Sequence, residues 1–377
     1  MKERADVGEW IEFQWPYLMS FLGGVARVDA LAREKGAFER GRKISRPEVL
    51  LQLILMWAVA ERSLVDTAMI AADAGLADVS DAALVKRFAK AGPWLAALLS
   101  ELLVDTAPRM GMRVRLLDAT TVTRPGRRGT DRRLHLGLDL GSNRIDSVEL
   151  TDARGAEGFE RFTVAPTEIL IGDRGYGKRA GMAKVAHGGA YFIVPFAWPA
   201  VPLSTAEGEP FSLFEALRSL PEACAGEFAV RFVAPNDQVV PARLVAIRRS
   251  EPAAQAERKK ALRSRTKNGN QSVDMRTLEA AGYLFVLTNA PDRLTAESVL
   301  ELYRLRWQIE MKFKTLKSVL HLGSVPARTD AALQVYVLAK LLVAFLIDSL
   351  VEQAESFSPW GYPLLADQLM AYDAARP

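Results

Sequence analysis

Cysteine and histidine are nearly missing from this chain. Cys224 is the one cysteine in 377 residues, which excludes an internal disulfide and any cysteine-rich zinc site. The three histidines, His135, His187 and His321, are scattered and give no HExxH spacing. Metal chemistry must therefore fall to carboxylates, and oxygen ligands point to Mg2+ or Mn2+. Long uninterrupted apolar runs are missing too. VLLQLILMWAVA (49–60) is too short to span a bilayer, and LQVYVLAKLLVAFLIDSL (333–350) is broken by Lys340 and Asp348, so both read as buried core helices. The N-terminal MKERADVGEW is charged and has no signal-peptide stretch. These absences predict a soluble cytoplasmic protein without a membrane partner. Charge of one sign is only mildly in excess, with a net +4 and a pI near 9.1, which permits a polyanionic partner without demanding one.

What is present falls into zones. The length allows two or three domains. The first hundred residues read as helical: Ser45 and Glu48 have the spacing of a capping box, with Pro47 in the first turn. LVDTAMIAADAG then ends at Gly75, and SDAALVKRFAKAG runs from a Ser80 cap with Lys86, Arg87 and Lys90 outside. That pair reads either as a helix-turn-helix or as an ordinary helical hairpin. From residue 113 the texture becomes strand-like in VRLLDAT, RLHLGLDL and DSVELTD, then EILIGDRGY, a helix over 178–187, and GAYFIVPF. Such an order predicts a mixed sheet flanked by helices, an α/β layer structure. Residues 197–281 interrupt it with prolines, two β-like runs (EFAVRFVA, ARLVAIRRS) and the cationic RKKALRSRTKNGNQ, which reads as a flexible loop carrying Arg258, Lys259, Lys260, Arg263, Arg265 and Lys267. YLFVLTNAP (283–291) returns as a buried strand.

YRLRWQIEMKFKTLK (303–317) sets one acid, Glu310, among five cations. A surface helix explains this blandly, since Arg306 and Lys314 each lie four positions away and form weak ion pairs. Helical spacing also puts Leu302, Leu305, Ile309, Phe313, Leu316 and Leu320 on one apolar stripe, with Tyr303, Arg306, Glu310 and Lys317 on a second stripe beside it. A single helix with that layout forms the wall of a cleft. Two more acids end apolar strands: Asp118 in VRLLDAT, and Asp173 in EILIGDRGY between Gly172 and Gly175. Acids are costly beside a core unless paired or metal-bound. Asp118, Asp173 and Glu310 thus make a candidate three-carboxylate site for two divalent cations acting on a phosphodiester. Asp139, in RLHLGLDL, is the rival for a ligand position. Asp131, Asp146, Asp152 and Glu157 read as solvated turn acids.

The motifs resemble the DDE transposases of bacterial insertion sequences, in the branch that carries a tyrosine–arginine–glutamate–lysine (YREK) signature. Tyr303, Arg306, Glu310 and Lys317 match that signature with its spacing; Asp173, Arg174, Gly175 and Tyr176 supply the DRGY motif; LLDATTV supplies the first aspartate motif at Asp118. The resemblance covers about residues 45–350. It implies a ribonuclease H-like catalytic core with a β-rich insertion before the last acid, and Asp118, Asp173 and Glu310 as catalytic metal ligands for Mg2+, with Mn2+ as substitute. It further implies DNA contacts by Tyr303, Arg306 and Lys317, joined by Arg174 and, from the helical region, Lys86 and Arg87. The partners implied are double-stranded DNA, as terminal inverted repeats and target, and a second copy of the chain in a synaptic homodimer at the nucleoid. The corresponding segments are 1–110 (helical, DNA-binding), 111–196 (core), 197–281 (β-rich basic insertion), 282–355 (core) and 356–377 (tail). Two positions depart from the family: Pro195 stands where many relatives have an arginine, and Leu284, beside Tyr283, where a hairpin-forming relative has tryptophan. A domesticated DNA binder without cleavage, or a structure-specific nuclease on the same fold, are the competing readings. The intact acids argue against the first and the signature against the second.

Overall fold

The computed structural model describes residues 15–355, apart from positions 17, 103–111, 125–128, 143, 222–223, 268–273, 320, 322–324 and 328. The expected tail at 356–377 lies outside the described residues. Two compact units divide the chain. One comprises Met1–Val104, Val122–Asp131 and Lys314–Pro377; the other comprises Asp105–Thr121 and Arg132–Phe313.

The described helices near the start of the first unit include α1 (Val25–Glu34), α2 (Pro47–Ala58), α3 (Leu64–Asp73), α4 (Asp81–Phe88) and α5 (Gly92–Leu102). Proline suits the first turn of α2, where its missing N–H has no partner to lose. The capping box does not form. Arg46, not Ser45, occupies the cap position, with no side-chain bond, and Glu48 accepts the Trp15 indole N–H at 2.7 Å. Ser63 and Ser80 do cap α3 and α4, accepting from the amides of Asp66 and Ala83, and Gly75 closes α3 at φ +66°. On α4, Lys86 is exposed. Arg87 is not simply outside, since its guanidinium lies 5.7 Å over the Phe38 ring and donates to the Arg40 carbonyl at 3.3 Å.

The second unit is built on one eight-stranded sheet. Its elements are β1 (Val114–Val122, its last residue counted with the first unit), β2 (Arg132–Asp139), β3 (Arg144–Asp152), β4 (Ile169–Gly172), α6 (Arg179–His187), β5 (Tyr191–Val194), α7 (Leu213–Arg218), β6 (Ala225–Val233), β7 (Val239–Arg248), α8 (Glu251–Lys267), α9 (Met275–Ala280), β8 (Tyr283–Thr288) and α10 (Ala296–Arg304). The strand order is β3-β2-β1-β4-β5-β8-β7-β6. β4 runs parallel to both β1 and β5, and all four of its residues are buried, as expected of a strand covered on both faces. The β4-α6-β5 segment is the crossover that parallel strands need. The two β-like runs of 197–281 form the β6–β7 hairpin, and β7 pairs with β8, so this segment lengthens the main sheet. Leu170, Phe192, Leu244 and Leu287 join Tyr176 and Phe159 in its core.

The cationic run is helix as far as Lys267, not a loop, and its remainder lies outside the described residues. The helix begins upstream at Glu251, where Ala-rich sequence and the Glu251–Arg258 (3.1 Å) and Glu257–Lys260 (2.6 Å) pairs support it. A further helix, α11 (Trp307–Val319), runs across the boundary between the units, and α12 (Asp330–Glu355) ends the first unit. α12 contains the one window among the described residues, Asp330–Ile347, apolar and long enough to cross a membrane; 67% of it is buried, as in a core helix. Within the first unit Tyr336 meets Trp57 edge-on at 5.0 Å. Lys340, only 1% exposed, reaches Glu61 at 2.7 Å and lies 4.7 Å over the Tyr336 ring. His321 also bonds Glu61, at 3.0 Å.

Candidate active site

Strand register brings two of the expected acids together. Leu117 of β1 pairs with Gly172 of β4. The next residue on each chain is an aspartate, so Asp118 and Asp173 lie side by side across strands spaced about 4.8 Å apart. Each carboxylate spends one oxygen on a nearby backbone amide: Asp118 accepts from Ala119 at 2.7 Å, and Asp173 from Gly175 at 2.8 Å. Burial pushes the Asp118 carboxyl up to about 6. The charges of Asp173 and Glu157 push the same way, against the Ala119 amide and the Arg306 guanidinium. Two hard oxygen donors side by side suit a divalent cation, whose charge offsets their mutual repulsion.

Glu310 is held differently. The single helix expected over 303–317 is broken, with Tyr303 near the end of α10, Arg306 in the connecting turn and Glu310 in the first turn of α11. Leu305, Arg306 and Gln308 donate to the carbonyls three residues back, at 3.1, 3.1 and 2.9 Å, so the chain tightens as a 3-10 turn does. The two stripes therefore do not run unbroken, although Ile309, Phe313 and Leu316 are buried. Leu320 lies outside the described residues. Arg306 bonds Glu310 at 2.6 Å and lies 5.8 Å from the centre of the Tyr303 ring. Asp173, Arg174, Tyr303, Arg306 and Glu310 line one cavity of about 710 Å³. Pro195 and Leu284, the two points of departure from the family, line it as well, with Tyr283 beside Leu284. Among the described residues no three His, Cys, Asp or Glu side chains stand close enough to hold a metal ion. The structure thus unites Asp118 with Asp173 and leaves Glu310 on the cavity wall, paired with Arg306. Lys317 is exposed on α11.

Asp139 is removed from the contest by geometry. The Leu140 amide donates to the Val114 carbonyl, which sets Asp139 beside the start of β1, about 13 Å of strand from Asp118. Arg113 and the Ser142 amide engage its carboxylate, at 2.9 and 2.8 Å. Two of the acids expected in solvated turns are also buried in pairs: Asp146 with Arg115 at 2.6 Å and Asp131 with Arg124 at 3.0 Å, each carboxylate side chain 2% exposed. Asp152 does cap a turn, accepting from Arg154 and Gly155. Glu157 is the larger correction. It is half-buried beside Asp173, and burial together with that neighbour's charge raises its pKa. No periodicity or motif marks Glu157 in the sequence; only the folded loop reveals it. The cavity also holds Arg249, fixed by its bond to the Tyr283 carbonyl at 3.0 Å, another residue that sequence patterning leaves unmarked.

Residues 109–346 match the family model described as Transposase DDE domain. The chain is 35% identical, over 92% of its length and 96% of the relative's, to the putative transposase InsL for insertion sequence element IS186A of Escherichia coli (strain K12). It is 36% identical, with the same coverage, to the transposase for insertion sequence element IS421 of Escherichia coli. A shorter match, 32% identical over 26% of the chain, is to the transposase for insertion sequence element IS231F of Bacillus thuringiensis subsp. israelensis.

Proposed function

The chain belongs to the DDE transposase family and is a DNA transposase, and from that premise we propose that Asp118, Asp173 and Glu310 are its three catalytic acids. Family membership implies a divalent metal ion in catalysis, and the mixed α/β sheet with its helices fits a ribonuclease H-like core. The cation we assign is Mg2+, with Mn2+ as substitute. The observation that carries this reading is the register that sets Asp118 against Asp173, with Glu310 on the wall of the cavity that Asp173 lines. When bound, the cation supplies positive charge to activate the attacking water or 3′-hydroxyl and to stabilise the leaving oxygen. Asp118 and Asp173 provide its standing oxygen donors. Arg306 neutralises Glu310 in the free protein. A DNA phosphate entering the cavity competes for that guanidinium, so substrate binding frees the third carboxylate at the moment it is needed. Tyr303 orients Arg306; Arg174 takes a further phosphate, and Lys317 is assigned a DNA contact of its own.

The substrate in this reading is the transposon end, cut and then joined to target DNA by two copies of the chain that hold both ends. Residues 1–110 serve as the DNA-binding region, with Lys86 on α4 presented to the duplex and Arg87 supporting that face through Phe38. The 197–281 segment is the β-rich insertion between the two parts of the catalytic core. Single-turnover cleavage of terminal-repeat DNA in Mg2+ tests the assignment. Asp118→Asn, Asp173→Asn and Glu310→Gln are each expected to abolish cutting while DNA binding persists. Normal nicking by any one of them removes that residue from the site.

A further inference from the structure

Glu157 approaches the acid pair by way of a glycine. A Cβ built on Gly175 would stand 2.2 Å from Glu157 Oε2 and 3.0 Å from Asp173 Oδ1. The glycine of DRGY therefore leaves room for two carboxylates to flank one bare Cα. Glu157 is fixed in that position. Its Oε1 accepts from Arg133 Nη1 at 3.3 Å, its backbone carbonyl accepts from Lys178 Nζ at 2.5 Å, and its side chain is only 25% exposed. Tyr176 supplies an independent observation. Its ring packs against Phe159 (5.4 Å) and Phe162 (6.2 Å), the residue is fully buried, and its hydroxyl has no hydrogen-bond partner. A hydroxyl buried without a partner is costly, and this one belongs to the DRGY motif itself, three residues after Asp173, which marks a place for a bound polar group.

We propose that Glu157 is a fourth acid of this site, holding hydration water of the divalent cation rather than the cation itself, with the Tyr176 hydroxyl as a second hydrogen-bond partner of that water. Indirect contact is the form that the side chains allow, since among the described residues no three acids stand within reach of one ion. Mg2+ suits such a setting because it keeps several of its waters when bound by one or two carboxylates. Glu157 is thus a positioning residue: it tightens the cation on Asp118 and Asp173 and orients its water. The inference rests on the reading of those two aspartates as ligands.

Mn2+ titration of the full-length, DNA-free protein, followed by electron paramagnetic resonance, tests both layers. Glu157→Gln is expected to weaken Mn2+ binding about tenfold or more, the usual effect of losing a partner of a metal-bound group. Tyr176→Phe, which deletes one oxygen and keeps the packing, is expected to weaken it too, by up to about tenfold. Asp173→Asn should lose binding altogether. If Glu157→Gln binds Mn2+ as the unaltered chain does while Asp173→Asn does not, the inference is overturned and the ligand reading stands. If Asp118→Asn and Asp173→Asn both bind normally, the ligand reading itself falls. Should Glu157→Gln fail to fold by circular dichroism, Tyr176→Phe decides, and unchanged Mn2+ affinity there overturns the proposal.

Discussion

Asp118 and Asp173 follow paired residues of neighbouring strands, Leu117 and Gly172, whereas Glu310 follows a break between two helices and grips Arg306 at 2.6 Å. The first pair moves only if the sheet moves. The second arrangement is a partly exposed ion pair, a class worth no more than about 1 kcal/mol, and is easily exchanged for another partner. In the proposed site, rigidity and exchangeability are thus divided. The sheet supplies a permanent anchor, and the helix break supplies a group whose availability depends on what else is bound.

The strongest way to break this comparison is to remove each acid and read two properties. Asp118→Asn and Asp173→Asn should lose both Mn2+ binding and cleavage, the latter by on the order of 10³-fold or more. Glu310→Gln should lose cleavage as severely yet keep Mn2+ affinity in the DNA-free chain to within about threefold. Equal loss of affinity in all three variants would mean that Glu310 already belongs to the standing site.

Asp139 offers a smaller effect with a different signature. Asparagine there deprives the half-buried Arg113 of one carboxylate partner, so thermal or denaturant unfolding should report a loss of about 1–3 kcal/mol. The cleavage rate of the folded fraction should stay within about tenfold. A loss like that of Asp118→Asn would place the first ligand on the wrong strand.

Asp118 also sharpens the comparison through pH. Its folded pKa, about 6, exceeds the usual 3.8. As pH rises between those values the unfolded chain releases its proton first, so the metal-free fold loses stability across pH 4–6. The loss is complete above the folded pKa, at about 1–3 kcal/mol. Thermal unfolding in chelator should show this slope, and Asp118→Asn should flatten it. Parallel curves for the two proteins would show that the aspartate is hydrated and the pair unstrained. The smallest effect concerns α8. Replacing Lys259, Lys260 and Arg263 with glutamine should reduce the slope of log affinity against log salt by up to about 0.9 per lost phosphate contact, with little change in cleavage at saturating DNA. An unaltered slope makes this helix face merely solvated.

The sheet and its two aspartates were legible because each rests on a local signal. A short apolar run closed by an acid predicts a strand, and β4 does stop just before Asp173; β1 instead runs on through TTV to Val122, so Asp118 lies inside its strand and half-buried, not at its end. The helix break at Leu305–Arg306 carried none. Neither proline nor glycine marks it, and a tightened turn keeps the apolar spacing close to helical, so periodicity runs through it. The α8 segment misled for the opposite reason: its cations were conspicuous, while the helix-forming EPAAQAE ahead of them was not. Glu48 fits a capping box by spacing, but Trp15, distant in sequence, claims its carboxylate. Glu157 depends wholly on tertiary placement, in a loop whose composition resembles any solvated turn.

Lys340 lies along α12 with its ammonium sealed between Glu61 and the Tyr336 ring, and 1% of its surface reaches solvent. Amine-directed reagents modify lysines at the rate at which water and reagent reach them. Lys86 and Lys317, both exposed, would be labelled at once. Lys340 would be spared until the helical unit opens, which makes it an internal clock for the lifetime of that core, readable by mass spectrometry without any engineered probe.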